Sequence, residues 1–307
     1  MENNSENLSG NRLKNFFTPE LLKRCITGAV YLLCLAALLA LKQLVPVWGA
    51  LGFDVLFAAI AVIGSIEFVR AFGEITFPQK VFVVAYCSAV IPVYVLCELT
   101  VSQGLLAVGI LSLAALVAVA VLSAVNKLGC TVKGTLYAYM GMAYCGGLSW
   151  VLSVANHTAS NSVAALILLF LSVSFADSFA YIVGTLLKRW LPWKLAPQIS
   201  PNKTVIGAIG GIAGGIVGAI IAYYIFESFD TFVWTAGIGG LEGFIVVGLL
   251  LSIFGQVGDL FESGIKRKCG VKDMGNLLPG HGGVLDRFDS VLFGGVVIAL
   301  SFGLILI

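Results

Sequence analysis

Charged side chains are scarce in this sequence. Asp, Glu, Lys and Arg make up only 11% of its 307 residues, against about 25% in a domain that must keep its surface wet. That shortage excludes a soluble globule. A strong charge imbalance is missing too: the net charge is +2, which predicts no nucleic-acid partner. The seven cysteines are scattered, mostly inside apolar runs, and none forms a C-x-x-C pair. An odd, dispersed set suits neither a disulfide framework nor a zinc site, and these read as small buried hydrophobes. The first twenty residues are polar and lack an apolar core ending in a small-residue cleavage site, so a removable signal peptide is not expected. No Ser/Pro linker or low-complexity tract divides the chain.

What fills the chain is hydrocarbon. Hydrophobic residues reach 59% and the mean hydropathy is +1.01. They fall into runs of about 18 to 27 positions, and a helix rising 1.5 Å per residue needs about 20 to cross a bilayer. Backbone polar groups in lipid must bond within their own segment, so the runs are helices. Nine stretches qualify: 26–45, 50–69, 81–98, 103–125, 135–155, 162–187, 205–226, 232–255 and 288–307. The expected fold is an all-α polytopic integral membrane protein of about nine transmembrane helices. Its domain plan is a cytoplasmic segment 1–25, helices one to five over 26–155, and a catalytic region 156–307. Two connections are long, 188–204 and 256–287.

Basic residues favour the cytoplasmic side of short loops. With the N-terminus inside, every one of the 18 Lys and Arg residues except Lys42 falls inside. A miscounted span would invert each later loop and destroy that asymmetry. The expected topology is therefore N-terminus cytoplasmic and C-terminus external, with both long loops in the cytoplasm. The seventh run carries Gly207, Gly210, Gly211, Gly214, Gly215 and Gly218, a spacing that lets helices approach closely in lipid.

The last long loop carries the densest chemistry. Its first half continues the eighth helix, and Asp259, Glu262, Ser263, Lys266 and Arg267 recur at the spacing of one helical face. A carboxylate followed by two cations on one stripe is what a metal–nucleotide complex needs: the carboxylate for Mg²⁺, the cations for phosphate oxygens. Lys272 and Asp273 follow, then the flexible turn Pro279-Gly280-His281-Gly282-Gly283, whose backbone N–H groups can approach phosphates. Asp286 and Asp289 then share a face at the start of the last helix, beside Arg287. Charged cytoplasmic loops are usually just solvated, but that explanation fits poorly with so many such residues in one short window.

The run S-G-I-K-R-K-C-G-V-K-D-M-G-N-L-L-P-G-H-G-G-V-L-D-R-F-D closely resembles the signature of the phosphatidate cytidylyltransferase (CDP-diacylglycerol synthase) family. The upstream G-D-L-F-E-S, the S-P-N-K-T at 200–204 and the A-D-S-F-A-Y at 176–181 resemble it too. The resemblance covers roughly the C-terminal half at motif level. In the N-terminal half it extends only to span count and a Lys-Arg pair before the first helix. Ile206 stands where many members have an acidic residue, and no catalytic weight falls there. The resemblance implies that CTP and phosphatidic acid give CDP-diacylglycerol and pyrophosphate, with Mg²⁺ required. It implies Asp259 and Asp286 as metal ligands, with Ser263 beside a second, monovalent cation such as K⁺, and a homodimer. The compact length suggests a bacterial plasma (inner) membrane.

The chemistry agrees with those implications. A phosphate monoester has a second pKa near about 6, so phosphatidic acid is largely dianionic at neutral pH and needs no strong general base. Bringing two polyanions together is the electrostatic problem that metals and fixed cations solve. Asp259, Asp286, Lys266 and Asp289 are therefore the expected catalytic set. Ser200, Lys203, Thr204, Ser263, Arg267, Lys272, His281, Gly282, Gly283, Arg287 and Asp177 are the expected substrate contacts. Ser200 reads as the N-cap and Pro201 as the first position of the seventh helix. Asp177 lies about 15 Å of helix from the boundary at Lys188, and an acid that deep faces a hydrated cavity or a partner. Glu67 is sufficiently explained by pairing with Arg70 three residues on. A CTP-dependent polyprenol or phytol kinase, or an ion-coupled transporter, would be the alternatives. No inverted repeat of the 176–181 or 281–283 motifs supports the transporter.

Overall fold

A computed structural model describes residues 19–125, 129–158, 161–187, 189–190, 192–227, 240–278 and 282–304. Within them the chain is helical except for one small hairpin and the connecting loops. The helices are α1 Pro19–Leu44, α2 Pro46–Ala71, α3 Phe77–Val101, α4 Gly104–Ala124, α5 Val132–Gly141, α6 Leu148–Thr158, α7 Ser162–Leu187, α8 Val205–Glu227, α9 Leu241–Cys269 and α10 Leu285–Ile298. Short π-helical stretches, Met142–Gly147 and Ala299–Leu304, join α5 to α6 and extend α10. Among the described residues six helices, α2, α3, α4, α7, α8 and α9, are long and apolar enough to cross a membrane. The all-α membrane architecture expected from the hydropathy runs is present.

Small residues set the closest packing. A Cβ on Gly214 would lie 2.5 Å from the Phe175 carbonyl of α7, and one on Gly215 would lie 2.5 Å from the Ser252 side chain of α9. Glycines on α8 thus bring its backbone against both neighbours. Lipid tails are as apolar as the helices, so this close fit supplies association that hydrophobicity cannot. The larger side chains Phe53, Phe57, Phe68, Leu152 and Leu166 fill the core between α2, α6 and α7.

At the ends of α1, α2 and α6, a polar knot is buried. Lys42 Nζ donates to the Asn156 carbonyl at 2.9 Å. Asp54 accepts from Ser153 at 2.6 Å and sits 2.7 Å from His157 Nε2. Lys42 is only 4% exposed, so the basic residue that breaks the charge asymmetry is satisfied inside the protein.

One local expectation is corrected. Ser200 and Pro201 do not open the seventh helix; residues Ser200–Thr204 form β2, antiparallel to β1, Lys194–Ala196. The residue before proline is pushed towards extended backbone, and an edge strand tolerates the missing N–H. The cap falls to Thr204, whose Oγ1 accepts from the Gly207 N–H at 3.1 Å.

Candidate active site

A cavity of about 630 Å³ opens where α7, the β1–β2 hairpin, the start of α8 and the middle of α9 meet. Asp177, Ser200, Lys203, Thr204 and Asp259, all singled out from the sequence, line it together. Asp177 is open to this space, as its depth in an apolar helix predicts. Lys203, on β2, forms an ion pair with Asp259 Oδ2. One turn along α9, Ser263 Oγ donates weakly to Asp259 Oδ1 at 3.4 Å.

A second ionic centre lies further along α9. Lys266 Nζ stands between Glu262 Oε2 at 2.5 Å and Asp286 Oδ1 at 2.8 Å. The other oxygen of Asp286 accepts the Met274 N–H at 2.9 Å and the Gly283 N–H at 2.8 Å. Burial pushes the Asp286 carboxyl up, but the Lys266 ammonium and the Gly283 amide outweigh it and hold the group below the ordinary aspartate range. Asp289, a turn on, is buried and its Oδ1 accepts the Ser290 N–H at 2.7 Å. Asp259, Asp177 and Glu262 lie within electrostatic reach of it.

The remaining expected contacts are placed as follows. Arg267 Nε donates to the Ile199 carbonyl at 3.1 Å and so ties α9 to the hairpin turn. Lys272 is exposed on the loop after α9, outside the cavity lining. Arg287 is exposed on the first turn of α10. Gly282 has φ +84°, a left-handed backbone that favours glycine, and Leu278 N–H donates to its carbonyl at 2.9 Å to close the turn. His281 lies outside the described residues.

Sequence reasoning missed several participants. Lys194, Asn202 and Gln256 line the cavity. Glu262 is fully buried and holds Lys266; its place on the same helical stripe was the available signal. Tyr144 packs against Phe261 and Phe293, with ring centroids at 5.3 and 6.3 Å. Its hydroxyl is buried and finds no hydrogen-bond partner among the described residues, and the same holds for Glu262 Oε1.

The donors present suit a hard cation. Among the described residues no three His, Cys, Asp or Glu side chains gather at a point suited to a metal. Mg²⁺ is commonly held by one or two carboxylates, with phosphate oxygens and water completing its shell. Asp259 and Asp286 each already hold an ammonium group, so both positions call for positive charge.

A profile of the cytidylyltransferase family matches residues 22–305. The chain belongs to that family. It is 40% identical over 158 residues to a protein of Staphylococcus saprophyticus named phosphatidate cytidylyltransferase, covering 51% of this chain and 55% of the relative. Proteins of the same name from Staphylococcus haemolyticus and Staphylococcus aureus are 41% identical over 157 residues and 39% over 166. These alignments also cover 51% of this chain, and 55% and 57% of the relatives. The chain spans about half the length of the curated relatives it matches.

Proposed function

We propose that this protein is a phosphatidate cytidylyltransferase, joining CTP and phosphatidic acid to give CDP-diacylglycerol and pyrophosphate. The observation that carries the proposal is the cavity shared by Lys203, Asp259 and Asp177, next to the centre where Lys266 bridges Glu262 and Asp286. Two cations paired to carboxylates in a partly apolar helical frame form a receptor for polyphosphate. The names of the relatives supply the substrate class.

The lipid phosphate attacks the α-phosphorus of CTP, the new P–O bond forms, and the bond to pyrophosphate breaks. Phosphatidic acid is dianionic at neutral pH, so no side chain has to remove a proton first. Lys203 and Lys266 neutralise phosphate oxygens as the two anions approach, and Arg267 and Lys272 extend that field. Asp259, Ser263 and Asp286 would be the residues to hold Mg²⁺, which when bound would supply positive charge for the transferring and leaving phosphates. Asp286 Oδ2, taken by two backbone N–H groups, keeps the loop in place. Asp289 stands behind Asp286 on the same helical face.

The topology belongs to the same proposal: nine spans with the N-terminus and both long loops on the cytoplasmic side, where CTP is available. The purified protein is incubated with Mg²⁺, phosphatidic acid and CTP labelled at either the α- or the γ-phosphate. Label from the α-position in lipid supports the proposal. Label from the γ-position in lipid would overturn it in favour of a lipid kinase.

A further inference from the structure

Four backbone N–H groups converge at the junction between the last loop and α10, and two carboxylates gather them. Asp286 takes the Met274 and Gly283 N–H groups. Glu67, from α2 in the other half of the chain, takes the next two: Val284 N–H donates to its Oε1 at 2.9 Å and Leu285 N–H to its Oε2 at 3.0 Å. These are first-turn donors of a helix, which have no intrahelical acceptor. A carboxylate there also meets the positive end of the helix dipole. Pairing with Arg70, the explanation the sequence offers, does not account for where these oxygens go.

The loop is moulded around the Glu67 side chain. A Cβ on Gly275 would lie 2.2 Å from its Oε1, and a Cβ on Gly283 would lie 2.6 Å from both oxygens. Neither position can carry a side chain while Glu67 is in place. Glu67 is only 6% exposed, and Leu285 packs its methyl 2.8 Å from where a Cβ on Gly64, one turn earlier on α2, would stand. The contact is therefore a fitted socket between α2 and the loop–helix junction.

We infer that Glu67 is a positioning residue for the site, fixing the height and rotation of α10 so that Asp286 faces Lys266. It acts through backbone and touches no substrate. Asp286 alone cannot do this, because its two backbone partners lie in the loop and not in the helix. The consequence for turnover rests on the cytidylyltransferase proposal; the consequence for the junction does not.

The test compares Glu67→Gln and Glu67→Ala with wild type in detergent, by steady-state kinetics and by hydrogen exchange of the peptide spanning 274–286. Gln keeps one acceptor oxygen but turns an NH₂ group towards the second N–H, so it should fall between the other two. A misplacement of about 1 Å can cost about 100-fold in rate, so kcat should fall about 100-fold in the Ala variant and about 10-fold in the Gln variant. KM for CTP should change less than about threefold, because the phosphate-facing lysines remain. Exchange over 274–286 should quicken in both, with the rest of the protein unchanged. Wild-type exchange over that peptide in either variant would overturn the inference whatever the activity. So would a loss of kcat in Glu67→Gln matched by faster exchange throughout the chain, which would mark Glu67 as a general stability residue. If wild type itself makes no CDP-diacylglycerol, the functional proposal fails while the exchange result still decides the role of Glu67.

Discussion

Lys203 on β2 and Asp259 on α9 form an ion pair across the cavity, joining the hairpin to the helix that also carries Glu262, Lys266 and Arg267. Both side chains are about one-third exposed, at 27% and 33%, so the pair is open to exchange for a ligand. An exposed pair of this kind contributes about 0–1 kcal/mol to stability. Asp259→Asn should therefore leave folding and detergent monodispersity intact while reducing kcat by at least about 100-fold, the scale of losing one strong electrostatic contact. Size-exclusion chromatography beside the CTP assay checks both halves.

Lys266 is a different case, because it is held between two carboxylates in a mostly buried setting. Side-chain exposure is 14% for Lys266, 0% for Glu262 and 5% for Asp286. Removing one partner of such a group leaves uncompensated charge and costs about 3–5 kcal/mol. Lys266→Met should lower thermal stability as well as activity, and Glu262→Gln should be milder because a neutral amide can still accept from the ammonium. Thermal unfolding in detergent distinguishes these from Asp259→Asn, which spares stability.

The Asp286 carboxyl has a lowered pKa in the folded protein, so its contribution to stability is fully present above the unfolded value of about 3.9. It disappears only as pH falls through the still lower folded value. The difference in melting temperature between wild type and Asp286→Asn should stay constant from pH 5 to pH 8, by about the ordinary carboxylate reference, and shrink only in stronger acid. A difference that already narrows between pH 6 and pH 5 would contradict the tie to Lys266 and the two amides.

Much of the architecture could be read directly, because a helix in lipid must satisfy its own backbone and apolar run length then reports it. The face bearing Asp259, Ser263 and Lys266 could be read for the same reason: helical periodicity is local. The β1–β2 hairpin could not be read this way, since Ser200-Pro201 carries a helix-start signal that strand pairing with Lys194–Ala196 overrides. Glu67 was illegible for a deeper reason. Its partners lie 217 and 218 residues away, and no local pattern encodes a contact of that separation. Arg70, a plausible neighbour in sequence, masked it. Glu262 lay between these extremes, visible on the stripe but without a sign that it would be buried.

The knot of Lys42, Asp54, Ser153, Asn156 and His157 should be structural and separable from catalysis. Asp54 collects Ser153, Asn156 and His157, at the opposite end of α2 from Glu67. Asp54→Ala leaves the Lys42 ammonium buried without a nearby counter-charge, a loss of about 3–5 kcal/mol. Its melting temperature should drop, while KM for CTP in the protein that remains folded stays at the wild-type value. A raised KM with unchanged stability would link this region to the site.

Lys42 also bears on orientation. Basic residues resist translocation when they remain charged in short loops, and a single external lysine would weaken the proposed topology if it stood free in solvent. It does not: Lys42 is buried and its ammonium is bonded to Asn156. Lys42 therefore does not count against the proposed charge asymmetry. With the N-terminus inside, the turn at Ser102 between α3 and α4 faces outward, and the turn at Gly73 between α2 and α3 faces inward. Ser102 is exposed in a left-handed turn, and Gly73 has open space around a built Cβ, so a cysteine at either site is accessible to reagent. In intact cells a membrane-impermeant maleimide should label Ser102→Cys and spare Gly73→Cys, and permeabilisation should expose the second. Because the successive helices are joined by short turns, the reverse result at both sites would invert every loop between α1 and α4. Under the proposed nine-span topology it would also place the Lys203–Asp259 cavity outside, against the proposed use of CTP.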